Sequence, residues 1–268
     1  MAHLLLPTDF SDQSLKATTL AIDLFGSKGN QFTLVHSYNA AGLADPLVPG
    51  ALPDLHKIHS DGLEEFEQKL RSKCDLTSAK VNSIVAFGPL SGVIDDAAKE
   101  KDVDLVVMAS AGRSGSSFFG SNATGVMQGA HIPVLEIPMD VTSLSFRKIL
   151  FADDKSPIEP HALDILAAIA RNSGATVLIA HVATGRPARD QVDNTALFDR
   201  VFAAIPHRSV MVEHNDVETA LFELAARELV DLIAMLHRHK GLWEGLFHSS
   251  ATKAVALHSK IPVLALEQ

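Results

Sequence analysis

Short apolar runs alternate with helical patterns along the whole chain. In the first half, near-continuous apolar runs fall at 3–8, 32–37, 80–87, 104–109 and 133–137. Runs of that length predict strands buried on both faces. Between them the apolar positions take helical spacing. Ala17, Leu20, Ala21 and Leu24 stand at i, i+3, i+4 and i+7, as do Leu90, Val93, Ile94 and Ala97, and Ala123, Val126, Met127 and Ala130. The segment 54–74, with Leu55, Ile58, Leu63, Phe66 and Leu70, predicts an amphipathic helix covering the sheet. Gly26 and Gly174 are placed to end a first helix in each half of the chain.

The same pattern is written twice. Leu4-Leu5-Leu6-Pro7-Thr8-Asp9-Phe10-Ser11 returns as Ile149-Leu150-Phe151-Ala152-Asp153-Asp154-Lys155-Ser156, at an offset of 145. Thr33-Leu34-Val35-His36 returns as Leu178-Ile179-Ala180-His181 at the same offset. Asp104-Leu105-Val106-Val107-Met108 meets Asp231-Leu232-Ile233-Ala234-Met235 at 127, and Ile132-Pro133-Val134-Leu135 meets Ile261-Pro262-Val263-Leu264 at 129. In copy two Val217, Ala220, Leu221 and Leu224 repeat the third helix. The order is kept while the offset drifts, so copy one has the longer middle. Strand–helix alternation predicts a parallel, doubly wound sheet with right-handed crossovers in each copy. The expected domains are 1–140 and 145–268, joined by the short polar stretch 138–143 and packed as a pseudo-twofold pair.

Composition narrows the function. Of 268 residues 47% are hydrophobic and 21% charged, a balance that supports buried cores and excludes a disordered chain. The apolar runs are too short for a membrane span. The start, Met-Ala-His followed by three leucines, lacks the basic stretch and long apolar core of a signal peptide, so a cytoplasmic location is expected. Cys74 is the only cysteine, which excludes an intrachain disulfide and a cysteine-based zinc site. A net charge of −9 and aromatics at only 6% argue against a nucleic-acid partner.

In an open parallel sheet, ligands sit beyond the carboxyl ends of the strands, at the switch in strand order. Three segments of copy one reach that edge: Pro7-Thr8-Asp9, His36-Ser37, and the run from Ala109 through Ser110, Gly112, Arg113 and Gly115 to Gly120-Ser121-Asn122. The last can turn backbone N–H groups toward an anion, and its end opens a helix. Arg113 adds a charged contact. The same Gly and Ser content also fits a plain surface loop. Neither GxxxxGK[ST] nor a GxGxxG after the first strand is present, which excludes a Walker-type loop and the standard dinucleotide fingerprint.

These residues, taken in order, resemble a tandem universal stress protein. The resemblance rests on Leu-Pro-Thr-Asp-Phe-Ser at 6–11, Leu-Val-His at 34–36, Asp-Leu-Val-Val-Met-Ala at 104–109, Gly-Ser at 120–121 and Ile-Pro-Val-Leu at 132–135, and covers nearly the whole chain. It implies two Rossmann-like α/β domains, each with a five-stranded parallel sheet and helices on both faces. It also implies dimerisation, here as a homodimer or an intramolecular pseudo-dimer, an unidentified protein partner and, in one branch, ATP binding. That branch carries G-x2-G-x9-G-[ST] after the fourth strand. Here Ala109 stands at the first glycine, Gly112 at the second and Gly120-Ser121 at the third, with seven residues rather than nine between Gly112 and Gly120. By resemblance Pro7, Thr8 and Asp9 line the nucleoside, and the Ser37 backbone reads the adenine edge. Gly112, Gly120, Ser121 and Asn122 hold phosphates, with Mg²⁺ bridging them. A turn or a helix cap is the competing role for Asp9, and an interior hydrogen bond for His36 and His181.

Copy two departs from the motif. Its loop carries Leu236 and Ser249-Ser250 at the matching places and gathers His237, Arg238, His239, Lys240, Trp243, Glu244 and His248. It is expected to be degenerate for ATP. The basic cluster reads as a solvated loop, an anion site, a pH-sensitive contact or, with three histidines, a zinc site. No catalytic set is evident. Asp153 and Asp154 are adjacent and point apart on a strand, no GxSxG elbow occurs, and Cys74 has no nearby His. The expectation is nucleotide binding with a conformational readout. A nucleotide-free scaffold and a very slow ATP hydrolase are the alternatives.

Overall fold

The computed structural model describes residues 1–39, 51–100, 102–110, 125–127, 129, 131–185, 191–237 and 260–268. It divides into two compact units, Met1–Val134 and Leu135–Gln268. The first contains β1 (His3–Pro7), α1 (Asp12–Phe25), β2 (Gln31–Tyr38), α2 (Ala51–Arg71), β3 (Lys80–Phe87), α3 (Leu90–Glu100) and β4 (Leu105–Ala109), and β5 (Val134–Ile137) begins at its last residue. The second contains β6 (Lys148–Ala152), a short 3-10 turn at Pro160–Leu163, α4 (Asp164–Ser173), β7 (Thr176–Ala183), α5 (Thr195–Val201), β8 (His207–Glu213), α6 (Val217–Glu228), β9 (Leu232–Leu236) and β10 (Val263–Leu266). Among the described residues no helix is long and apolar enough to cross a membrane.

Each unit is a Rossmann-like α/β sheet. In the first the order is β3-β2-β1-β4, and in the second β10-β9-β6-β7-β8. The paired strands are parallel throughout. That is why the central strands are apolar without alternation: helices cover both faces. Leu4, Leu5, Leu6, Phe32, Leu34 and Leu105 are wholly buried in the first unit, and Ile149, Leu150, Phe151, Val177 and Leu232 in the second.

The duplication extends to single hydrogen bonds. Asp104 Oδ2 accepts the His3 N–H at 2.7 Å, while Asp231 Oδ2 accepts the Lys148 N–H at 2.9 Å and the Arg147 N–H at 2.8 Å. Val106 donates its N–H to the Pro133 carbonyl at 2.9 Å, and Ile233 does the same to Pro262 at 3.0 Å. Both predicted glycine stops are in place. Gly26 has φ 73° and donates to the Ile22 carbonyl, and Gly174 is left-handed with φ 63°. A side chain at either φ would be strained, so glycine ends the helix at low cost.

The sequence pattern contains no apolar run at β8. That strand lies at an edge, mixes half-buried with exposed positions and leaves Met211 largely exposed. An edge strand has one open side and needs no continuous apolar run.

Candidate functional site

The switch in strand order lies between β1 and β4. From β1 the chain steps outward to β2 and β3, then returns to place β4 on the other side. Crevices at such points are where α/β sheets take ligands. β1 stops at Pro7, level with Val35, while β2 continues through Ser37 to Tyr38 against β3 only. The carboxyl edge therefore holds three expected elements: the Pro7-Thr8-Asp9 turn, the projecting end of β2 at Ser37, and Ala109 closing β4. Gly112, Arg113, Gly120, Ser121 and Asn122 lie outside the described residues.

The turn after β1 is tied down by its own side chains. Thr8 donates its N–H to the Val35 carbonyl at 2.8 Å, and its Oγ1 accepts the Phe10 N–H at 2.9 Å. The Thr8 and Ser14 hydroxyls are bonded at 2.8 Å. Asp9 Oδ1 accepts from the Ser11 N–H at 3.1 Å and from the Ser11 hydroxyl at 2.5 Å. Ser11 in turn caps α1, its Oγ accepting the Ser14 N–H at 3.1 Å. Asp9 thus orients the cap residue instead of being the cap.

Phe10 pays a conformational cost, with φ 65° in the left-handed region. A bulky residue there is rare and costs about 1–2 kcal/mol. Such strain survives only where neighbours over-determine it. The Phe10 ring stacks on His36 with centroids 4.0 Å apart and lies against α2 at Gly62. A Cβ added at Gly62 would meet Phe10 Cε2 at 3.0 Å. Gly62→Val is therefore expected to cost about 1–3 kcal/mol by overpacking. Gly62→Ala is expected to be near neutral, since a helix-propensity gain of about 1 kcal/mol opposes the ring's displacement. Urea unfolding of the two variants distinguishes these outcomes.

Copy two builds the same turn with different chemistry. Lys155 stands at the place of Phe10 with φ 60°. Asp153 replaces Thr8, and its Oδ1 accepts the Lys155 N–H at 3.0 Å and the Asn194 side-chain N–H at 3.3 Å. Burial pushes the Asp153 carboxyl above its usual range, opposed by those two hydrogen bonds. His36 and His181 match as well. Nδ1 of each donates to a turn carbonyl, Thr8 at 2.7 Å and Asp153 at 2.9 Å. The interior hydrogen bond weighed from the sequence is what both make.

An aromatic stack over the end of β2 was not visible in the sequence pattern. His36 and Tyr38 lie two apart on β2, hence on one face. Between them α2 inserts His59, its ring centroid 4.9 Å from that of His36 and stacked on Tyr38 at 4.4 Å. Tyr38 meets the edge of Phe87, and its hydroxyl lies 3.3 Å from His56 Nδ1. The available signal was the i, i+3 spacing of His56 and His59 on the predicted helix, which places both on one face.

Elsewhere, Cys74 is buried and its thiol is pushed up, chiefly by burial, which disfavours the reactive thiolate. His237 Nδ1 lies 3.3 Å from Glu267 Oε2. Arg238, His239, Lys240, Trp243, Glu244, His248, Ser249 and Ser250 lie outside the described residues.

A duplicated Rossmann-like unit whose first copy switches strand order between β1 and β4 is the class these observations define. Residues 1–138 and 145–267 both match the model of the Universal stress protein family, and the chain belongs to that family. A universal stress protein of Methanocaldococcus jannaschii is 24% identical over 136 residues, covering 50% of this chain and 80% of that one. The crystal structure of a universal stress protein from Archaeoglobus fulgidus aligns with TM-score 0.71 at 22% identity, covering 99% of this chain and 96% of that one. A functionally unknown protein from Pseudomonas aeruginosa aligns with TM-score 0.60 at 14% identity, covering 100% and 92%.

Proposed function

We propose that the N-terminal unit binds ATP or a related adenine nucleotide at the β1/β4 switch, and that binding is read out through conformation or a protein partner. The observation that carries this reading is the carboxyl edge itself. There a tightly bonded Thr8-Asp9 turn stands beside the projecting end of β2. The described groups fit a nucleoside. The backbone at Ser37 offers a purine edge its donor and acceptor, and Asp9 supplies carboxylate oxygens for ribose hydroxyls. Gly112, Arg113, Gly120, Ser121 and Asn122 complete the proposal as the phosphate side, with Mg²⁺ as counter-ion. The C-terminal unit, with Asp153 and Lys155 in its turn, serves as partner or regulator.

One observation favours a second reading, a nucleotide-free scaffold. Ala109 closes β4 where the family motif has glycine, and its Cβ occupies space a phosphate would approach. Calorimetric titration with ATP and Mg²⁺ separates the two. Saturable heat in the parent, lost in Gly120→Asp, is the expected result. No heat in the parent overturns nucleotide binding, and unchanged binding by Gly120→Asp moves the phosphates elsewhere.

A further inference from the structure

His36 and His181 make the same bond to the same turn, yet only His36 has a second imidazole behind it among the described residues. Its Nε2 lies 2.9 Å from Nδ1 of His59. The hydrogens on this chain follow from its first link. The Thr8 carbonyl can only accept, so His36 carries its hydrogen on Nδ1. Neutral Nε2 of His36 can then only accept, so His59 also carries its hydrogen on Nδ1. The bond fastens α2, through His59, to the end of β2.

We propose that the His36–His59 pair is a pH-operated latch that holds the His59 region of α2 on the carboxyl edge of the first unit. The first proton enters at Nε2 of His59, the more exposed ring, and leaves the bond intact. A second proton must enter at Nε2 of His36, where it meets the Nδ1–H of His59, so two donors face each other and the rings part. The pair therefore titrates as a unit.

The surroundings set the direction. Burial opposes charge on His36 most strongly; the bond to the Thr8 carbonyl favours it, His59 opposes it, and the Asp9 carboxylate on the turn favours it. Burial, and then His56 on the same helix, oppose charge on His59. Tyr38 of β2 stacks on His59 and bonds His56, and Phe10 closes the other side of His36. Both imidazoles are held below the usual value of about 6.5. The unfolded chain takes protons first, so the pair's contribution is full above about pH 6.5, declines as pH falls below it, and ends when the second, lower protonation parts the rings. The latch goes beyond nucleotide binding and needs no ligand.

Two measurements on the ligand-free full chain test it. Imidazole nitrogen NMR at about pH 8 should show both His36 and His59 as Nδ1–H tautomers, the less common form of free histidine. Hydrogen exchange, corrected for intrinsic rate, should show α2 protection falling about tenfold or more between about pH 7.5 and pH 5, with α1 little changed. His59→Gln should abolish the fall, because an amide can turn to bond either form of His36. His181→Gln should retain it. An Nε2–H tautomer at His36, equal α2 protection at the two pH values, or an undiminished fall in His59→Gln overturns the latch. Because no nucleotide is present, a failed ATP titration leaves these outcomes unaffected.

Discussion

Replacing Glu136 by leucine is expected to stabilise the protein by about 2–4 kcal/mol at pH 7. Glu136 lies on β5 and is 1% exposed. Among the described residues its Oε1 has no hydrogen-bond partner. Burial alone pushes its carboxyl well above the ordinary value. Two separable costs follow. The acid must stay protonated in the folded state at a pH where the unfolded chain has released the proton, and even then one oxygen is unpartnered. The folded-state pKa is raised, so stability declines as pH rises above about 4.5 and continues to decline up to the folded value. Glu136→Gln removes that slope and keeps the unpartnered oxygen, so its gain should be smaller than leucine's and should grow with pH. The matching position in copy two is Ala265, also buried, which shows the strand position accepts an apolar side chain. Urea unfolding at about pH 5 and pH 8 measures both differences. A destabilised leucine variant, or a wild-type slope of the opposite sign, would mean the carboxylate has a favourable partner.

Glu136 also shows where the sequence ceases to be legible. The run at 133–137 marks a strand, and β5 occupies Val134–Ile137, but nothing in a single acidic letter says whether it faces water. β1, β2 and β4 of copy one were readable because parallel strands buried on both faces must be apolar nearly throughout; the run at 80–87, read the same way, is instead the edge strand β3, which has no fully buried position. The repeat carried that reading into copy two, except at β8, whose open side relaxes the constraint. The turn after β1 was legible as part of the carboxyl edge because strand order fixes which ends converge. Its side-chain chemistry was only half legible. Asp9 as a neighbour of the cap follows from Asp-Phe-Ser-Asp, but the left-handed Phe10 and its stack on His36 depend on α2 crossing close at Gly62. Contacts set by a helix dozens of residues away leave no local signature. The His56–His59 spacing hinted at a face without naming what it met.

The largest loss of stability is expected from Leu5→Ala and its counterpart Leu150→Ala, about 2–5 kcal/mol each. Both leucines are wholly buried in the central strand of their unit. Their registers coincide: Leu5 lies level with Thr33 and Val106, and Leu150 with Leu178 and Ile233, residues the repeat offsets themselves equate. Paired residues on neighbouring strands share a face, so each leucine packs in a row of three. The rows differ in one respect. Thr33 is smaller than Leu178 and bonds its hydroxyl to His3 at 2.8 Å, so it offers Leu5 less apolar surface. Truncation at 150 removes more dispersion contact than truncation at 5 and should be the costlier of the two. Denaturant unfolding of the full chain measures the pair. Equal costs would mean that Thr33 and Leu178 contribute alike to packing, and a larger cost at Leu5 would show that the His3–Thr33 bond depends on the leucine beside it.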